Sequence, residues 1–420
     1  MKASIRAITA VLLLVLPPLL YRLTRAASAS NLLPASPAIH AGWHPPAPAQ
    51  PFTPPQIPML GRSLAVAALT QGARTSLVAV LPNETLPIQA PQVMDGPSTL
   101  LRASTLAYLV LPGLDPTENY IEARDLTEAR AWRIQADEGG VLFGVALDPE
   151  GAQLAYLEVD SRLAGAKLPW RVVTVDLSTG ARETILDGSG DGKVALLPVD
   201  WAPGTLLYRG LTPFTAEYLG LWASRADGSD LRRLANEAEY LGRPRLSPEG
   251  DLVAFLAFDP DVPPSLFGRG EPAATSIRVL DVRTGEISVV LGTDSQHEFT
   301  DLQWASEGLL AVQGDWDASQ NAFVDRRIIQ LKPEAGSLPE VAYSATGGEV
   351  VRLASCRDGG WLAAVRYGDH LRLVQSHRSV PLAKVEGANL EWMACQADLP
   401  GPKAEAGVSS AVDRGARQAC

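Results

Sequence analysis

One pattern recurs along residues 61–396 and limits what this chain can become: an apolar strand, a tight turn, then a second apolar strand. It reads Val145-Ala-Leu-Asp-Pro-Glu-Gly151 before Leu154-Ala-Tyr-Leu157, and Pro244-Arg-Leu-Ser-Pro-Glu-Gly250 before Leu252-Val-Ala-Phe-Leu256. Looser copies are Val199-Asp-Trp-Ala-Pro-Gly204 before Leu206, Leu302-Gln-Trp-Ala-Ser-Glu-Gly308 before Leu309, and Val351–Gly359 before Trp361. Degenerate copies precede Leu106 and Leu64. A second hairpin follows, as in Val172-Val-Thr-Val-Asp-Leu-Ser-Thr-Gly180 and Ile277-Arg-Val-Leu-Asp-Val-Arg-Thr-Gly285, where glycine supplies the positive-φ position.

Four short antiparallel strands recurring every ~40–55 residues match the period of a propeller blade. The second strands are continuous apolar runs, the mark of a strand covered on both faces. Seven are expected, near residues 64, 106, 154, 206, 252, 309 and 361. Asn389-Leu-Glu-Trp-Met-Ala394 resembles an inner strand with no blade after it. The expectation is therefore an all-β, seven-bladed propeller over 61–396, with this C-terminal strand completing the first blade. Closure of that kind removes exposed sheet edges.

Ser247-Pro-Glu-Gly250 with Leu252-Val-Ala-Phe, downstream of Ala226-Asp-Gly-Ser-Asp-Leu-Arg-Arg-Leu234, resembles the TolB-type propeller repeat. The resemblance is to the repeat and implies the fold. Such propellers serve both as binding modules and as domains of enzymes, and the chain has no room for the separate α/β domain of TolB.

Strand order locates the loops. Turns after first and third strands are short and lie at one end. Connections after second strands (Asp160–Pro169, Asp259–Thr275, Gly314–Asp325) and between blades (Asp187–Ala195, Gly292–Thr300) are long and lie at the other. Long loops on a rigid scaffold are where binding residues concentrate. That rim carries the candidate binding residues Arg162, Lys167, Trp170, Asp259, Asp261, His297, Glu298, Asp315, Trp316 and Asp317. Individually each also reads as an ordinary solvated loop residue.

The chemistry-bearing motifs are few. No Gly-x-Ser-x-Gly elbow, phosphate loop or dinucleotide fingerprint occurs. Asp187-Gly-Ser-Gly-Asp-Gly192 starts like a calcium loop but has Pro198 where the twelfth-position Glu belongs. No metal, cofactor or catalytic residue is expected. Cys356 and Cys395 both end an inner strand, in adjacent blades if the ring closes as described. They are either a bridge or two free thiols, since spacing alone does not fix their separation.

Charge divides the chain. Residues 1–60 hold Lys2, Arg6, Arg22 and Arg25 and no acid, leaving 32 bases against 47 acids downstream, a balance of −15. An acidic body argues against nucleic-acid binding. Ala7–Tyr21 is an uncharged apolar run behind Lys2 and Arg6, short for a span of ~20 residues and suited to a secretory leader. Residues 1–25 read as a signal peptide or a signal anchor. Residues 26–60, with nine prolines from Asn31 to Leu60, read as a linker, and 397–420 as a disordered tail. The functional expectation is an exported, noncatalytic propeller, periplasmic or extracellular. It would bind an envelope protein, peptide or glycan on the long-loop rim, and the membrane through its N-terminus if uncleaved. The alternative is an enzyme acting on a small molecule at the central channel.

Overall fold

The computed structural model describes residues 45–52, 65–71, 74–80, 85–87, 100–110, 116–126, 130–137, 140–160, 169–188, 194–211, 218–235, 241–257, 274–292, 297–317, 319, 322–356, 360–376, 378–386 and 389–395. They form seven antiparallel sheets, the blades of a β-propeller. Blade 1 is Ala65–Gln71, Arg74–Val80 and Thr85–Pro87, with Asn389–Cys395 as its inner strand. Blade 2 is Leu100–Arg102, Thr105–Val110, Tyr120–Asp125 and Arg130–Gln135. Blade 3 is Gly140–Leu147, Gln153–Asp160, Trp170–Asp176 and Arg182–Gly188. Blade 4 is Ala195–Ala202, Thr205–Leu211, Tyr218–Ser224 and Arg232–Ala235. Blade 5 is Leu241–Leu246, Leu252–Ala257, Ser276–Asp281 and Ile287–Leu291. Blade 6 is His297–Ala305, Gly308–Asp317, Ala322–Leu331 and Glu340–Ser344. Blade 7 is Glu349–Ser355, Trp361–Tyr367, His370–Gln375 and Arg378–Glu386.

The apolar runs are second strands in all seven blades. Every residue of Thr105–Val110 is buried, because one face packs on blade 1 and the other on blade 3. The core is thus a set of inter-blade layers. Phe255 lies fully buried between blades 4 and 5 beside Leu207 and Leu221, and truncating it to alanine costs about 3–5 kcal/mol. Gly228, at φ 81°, lets a blade 4 turn approach blade 3; a Cβ there would stand 2.2 Å from the Ile185 carbonyl oxygen.

Closure is by the C-terminal strand, whose residues pair from Ala65↔Cys395 to Thr70↔Asn389. Cys356, just past the inner strand of blade 7, is disulfide-bonded to Cys395, with 5.2 Å between their Cα atoms. Polar hand-offs join other neighbours. Thr105 Oγ1 donates to the Gly151 carbonyl at 2.7 Å, and Thr205 Oγ1 repeats this to Gly250 at 3.0 Å. Asp200 Oδ2 accepts Leu246 N–H at 2.9 Å, and Asp301 Oδ2 accepts Leu353 N–H at 2.9 Å. Each aspartate therefore links its own inner strand to that of the next blade.

Three features differ from the sequence reading. Within the stretch read as a linker, Gln50–Phe52 pairs with Arg130–Gln135 as a fifth, outermost strand of blade 2. Ala49 N–H donates to Gly180 O at 2.9 Å and Arg182 Nη1 donates to Ala47 O at 2.8 Å, so this strap also fastens blade 3. Proline is tolerated because an outermost strand pairs on one side alone. The loop expected at Gly314–Asp325 is also shorter. Blade 6 strands run on to Asp317 and resume at Ala322, with Asp315↔Val324 and Asp317↔Ala322 paired. Likewise the connection expected at Gly292–Thr300 ends at His297, where the inner strand begins.

The stretches read as leader and tail, and most of the stretch read as linker, fall outside the described residues. Among the described residues no helix is long and apolar enough to cross a membrane.

Candidate functional site

The long-loop rim is best defined on blade 6. Alternation along its strands sends His297, Gln313, Asp315 and Arg327 to the side facing blade 5, and Glu298 and Arg326 to the side facing blade 7. On the blade 5 side Arg327 holds Asp315 with two bonds, Nη1 to Oδ2 at 2.7 Å and Nη2 to Oδ1 at 3.0 Å. Its Nε donates to Gln313 Oε1 at 3.2 Å, and His297 Nε2 lies 3.2 Å from Asp315 Oδ1. The forked geometry fixes the guanidinium plane, which a lysine would not do.

Of these polar groups His297, Gln313 and Arg327 line a pocket of about 210 Å³ between blades 5 and 6. Its walls are Leu291, Phe299, Ile329, Pro339 and Val341. Phe299 N–H donates to Ala274 O at 2.9 Å, so the pocket sits at the root of the long 258–273 connection. Val341 is 60% exposed on the outermost strand, and neighbouring Leu338 and Val289 are also exposed. The volume is smaller than the ~300–1,000 Å³ of typical small-molecule sites.

On the other side Glu298, buried, accepts Arg326 Nε at 2.8 Å and Nη2 at 2.6 Å. Arg326 also pairs with Glu349 of blade 7. Glu298 is therefore a seam residue rather than a presented rim group. Asp317 turns onto Ser319, accepting its backbone N–H at 2.8 Å and its hydroxyl at 2.6 Å. Trp316, between Asp315 and Asp317 in sequence, is partly buried.

Blade 3 corrects a second expectation. Trp170 is 8% exposed and packed in the layer between blades 3 and 4, its indole against Gly188, so it is core rather than a binding residue. Beside it Arg171 is fully buried and donates from Nε at 3.0 Å and Nη2 at 2.8 Å to Glu158 Oε2. Arg171 also pairs with Asp137, whose N–H donates to Glu158 Oε1 at 2.8 Å. Burial pushes the Glu158 carboxyl above its usual range, with Arg171 pulling against it. The loop after Asp160 is thus rooted on a buried ion pair. Arg162, Lys167, Asp259 and Asp261 lie outside the described residues.

The sequence reading brought His297 and Asp315 together on one rim but missed Arg327, Gln313 and Phe299. Their signal was register: Gln313 and Arg327 pair directly across the blade. Among the described residues, no group of three His, Cys, Asp or Glu side chains is placed to hold a metal ion.

No protein-family model matches the chain, and no curated protein matches it. Solved structures do. An oligogalacturonate lyase in complex with manganese is 13% identical over 80% of this chain and 85% of its own, with a TM-score of 0.49. The β-propeller domain of the trilobed protease from Pyrococcus furiosus is 12% identical over 66% and 81%, at 0.46. TolB from Acinetobacter baumannii is 13% identical over 78% and 82%, at 0.41. They include enzymes and TolB alike, and identities this low transfer no activity to this chain.

Proposed function

We propose that this chain is a noncatalytic binding propeller of the cell envelope that takes a protein, peptide or glycan on its long-loop rim. The observation that carries the reading is the pocket between blades 5 and 6. Its lining is largely apolar, and two of its polar lining groups, Arg327 and His297, are held in place by Asp315. Buried apolar anchors ringed by polar groups dominate binding energy at protein interfaces. A protein or peptide with one protruding apolar side chain is accordingly the favoured partner within that class. The basic, apolar N-terminus supports export, with the propeller held at the membrane surface if that segment is retained.

Partner recovery from native membranes tests this. Val341→Asp places a carboxylate at the pocket without disturbing a buried position. Recovery should fall at least about tenfold relative to the wild type, the equivalent of about 1.4 kcal/mol. Unchanged recovery would remove the pocket from the account.

A further inference from the structure

The outermost strand of each of blades 2 to 5 is engaged by a neighbouring segment. On blade 2 the strap adds a fifth strand, Gln50–Phe52. On blade 3 the blade 4 turn at Gly228 lies against Ile185. On blade 4 Arg232 Nη1 donates to Arg283 O, in the blade 5 turn, at 3.2 Å. On blade 5 Val289 O accepts Gly336 N–H, from the blade 6 turn, at 3.2 Å. Blade 6 differs. The matching turn of blade 7 is tight, because Gln375 pairs with Arg378, and Ser376 N–H donates back to Trp361 O of its own blade at 3.0 Å.

The outermost strand of blade 6, Glu340–Ser344, is exposed at every residue but Tyr343. A strand paired on one side turns alternate N–H and C=O groups outward, where another strand can take them. The two faces of this edge differ in chemistry. Val341 pairs with Ile329 and lines the pocket, and Leu338, next to the lining residue Pro339, is 86% exposed. Glu340 pairs with Gln330 on the opposite face, where Gln330 Nε2 donates to Glu307 Oε2 at 3.4 Å. Both carboxylates are exposed. One face of the edge is thus apolar and the other acidic.

We infer that Glu340–Ser344 takes an extended peptide segment of the partner as a fifth strand of blade 6. Alternate side chains of such a strand fall on opposite faces. An apolar residue then lies over Val341 and the pocket, and its basic neighbour over Glu340 and Glu307. Main-chain bonds supply the affinity of an added strand, and its alternating side chains supply the selectivity. The strap on blade 2 is the same addition made within this chain. This placement, which rests on the proposed role of the pocket, adds the partner's backbone conformation and its charge.

The test is titration of the full chain with a capped peptide of about eight alternating valine and lysine residues, and with the same peptide N-methylated at every second amide. N-methylation keeps the side chains but removes strand pairing, and should weaken binding about tenfold or more. Hydrogen exchange on binding should slow within Glu340–Ser344 and not within Ile287–Leu291. Glu340→Lys should weaken the peptide about two- to fivefold, and Glu183→Lys, equally exposed on blade 3, should leave it unchanged. No binding, equal binding of both peptides, protection confined to other strands, or equal effects of the two charge reversals would overturn the proposal. So would a concentration-dependent dimer lost on Glu340→Lys, which would give the edge to a second copy of the chain. Partner recovery lost in Val341→Asp, together with equal binding of both peptides, would keep the pocket and refute the added strand.

Discussion

Cys395, the last residue of the closing strand, is bonded to Cys356 on the neighbouring blade, so the seam that completes the ring is also covalent. The bond encloses a sequence separation of 39 residues, for which the loop-entropy relation gives about 4 kcal/mol. Cys356→Ala should lower the melting temperature by several degrees, and reduction should do the same to the wild type. A thiol titration of unfolded, unreduced protein should find one free thiol, that of Cys420; three would contradict the bond.

Asp301 makes stability depend on pH. Burial raises its carboxyl pKa, against the pull of Arg245 and Arg352. A raised acid binds more protons folded than unfolded. Its contribution is therefore most favourable below the ordinary aspartate range and declines as pH rises through the folded value. Asp301→Asn removes that titration, so stability measured by urea unfolding should fall less steeply with rising pH in the variant. Parallel profiles would show that Asp301 is charged in both states alike.

Arg171 and Glu158 should be strongly coupled. Arg171→Met leaves a buried carboxylate without its main partner, a change costing about 3–5 kcal/mol. Adding Glu158→Gln should restore part of the loss, since the orphaned charge is then gone. A double-mutant cycle measured by chemical unfolding checks this, and additive losses would deny the coupling.

The strap should matter to folding. Phe52 lies under two guanidinium groups, with Arg133 Cζ 5.3 Å and Arg124 Cζ 5.8 Å from its ring centroid. A chain starting at residue 53 uncovers the Arg130–Gln135 edge. It should melt at a lower temperature and aggregate sooner than one starting at residue 45. Identical behaviour would reduce the strap to a passive leader.

What was legible in the sequence follows from burial. Runs such as Leu106–Val110 and Leu252–Ala257 announce themselves because both faces are covered, and Gly151, Gly180 and Gly250 mark the turns through positive φ. The closing strand was legible because it lacked a blade of its own. Gln50–Phe52 was not, since proline-rich composition reads as spacer wherever the partner edge is distant in sequence. Trp170 and Arg171 were misread or missed for the opposite reason. Polar and aromatic residues beside a loop look exposed until the fold supplies Gly188, Glu158 and Asp137 as partners. The charged ends of the blade 6 strands looked like loop because their ion pairs lie across the ladder rather than along the chain.

The central claim is that partners meet the long-loop rim, and site-specific photo-crosslinking from each end of the ring tests it most directly. A photoreactive residue at Ser319, exposed on that rim, should capture a discrete partner in the envelope, and one at Thr284, exposed on a short turn, should not. Capture from Thr284 and none from Ser319 would place the binding face at the opposite end and contradict the account.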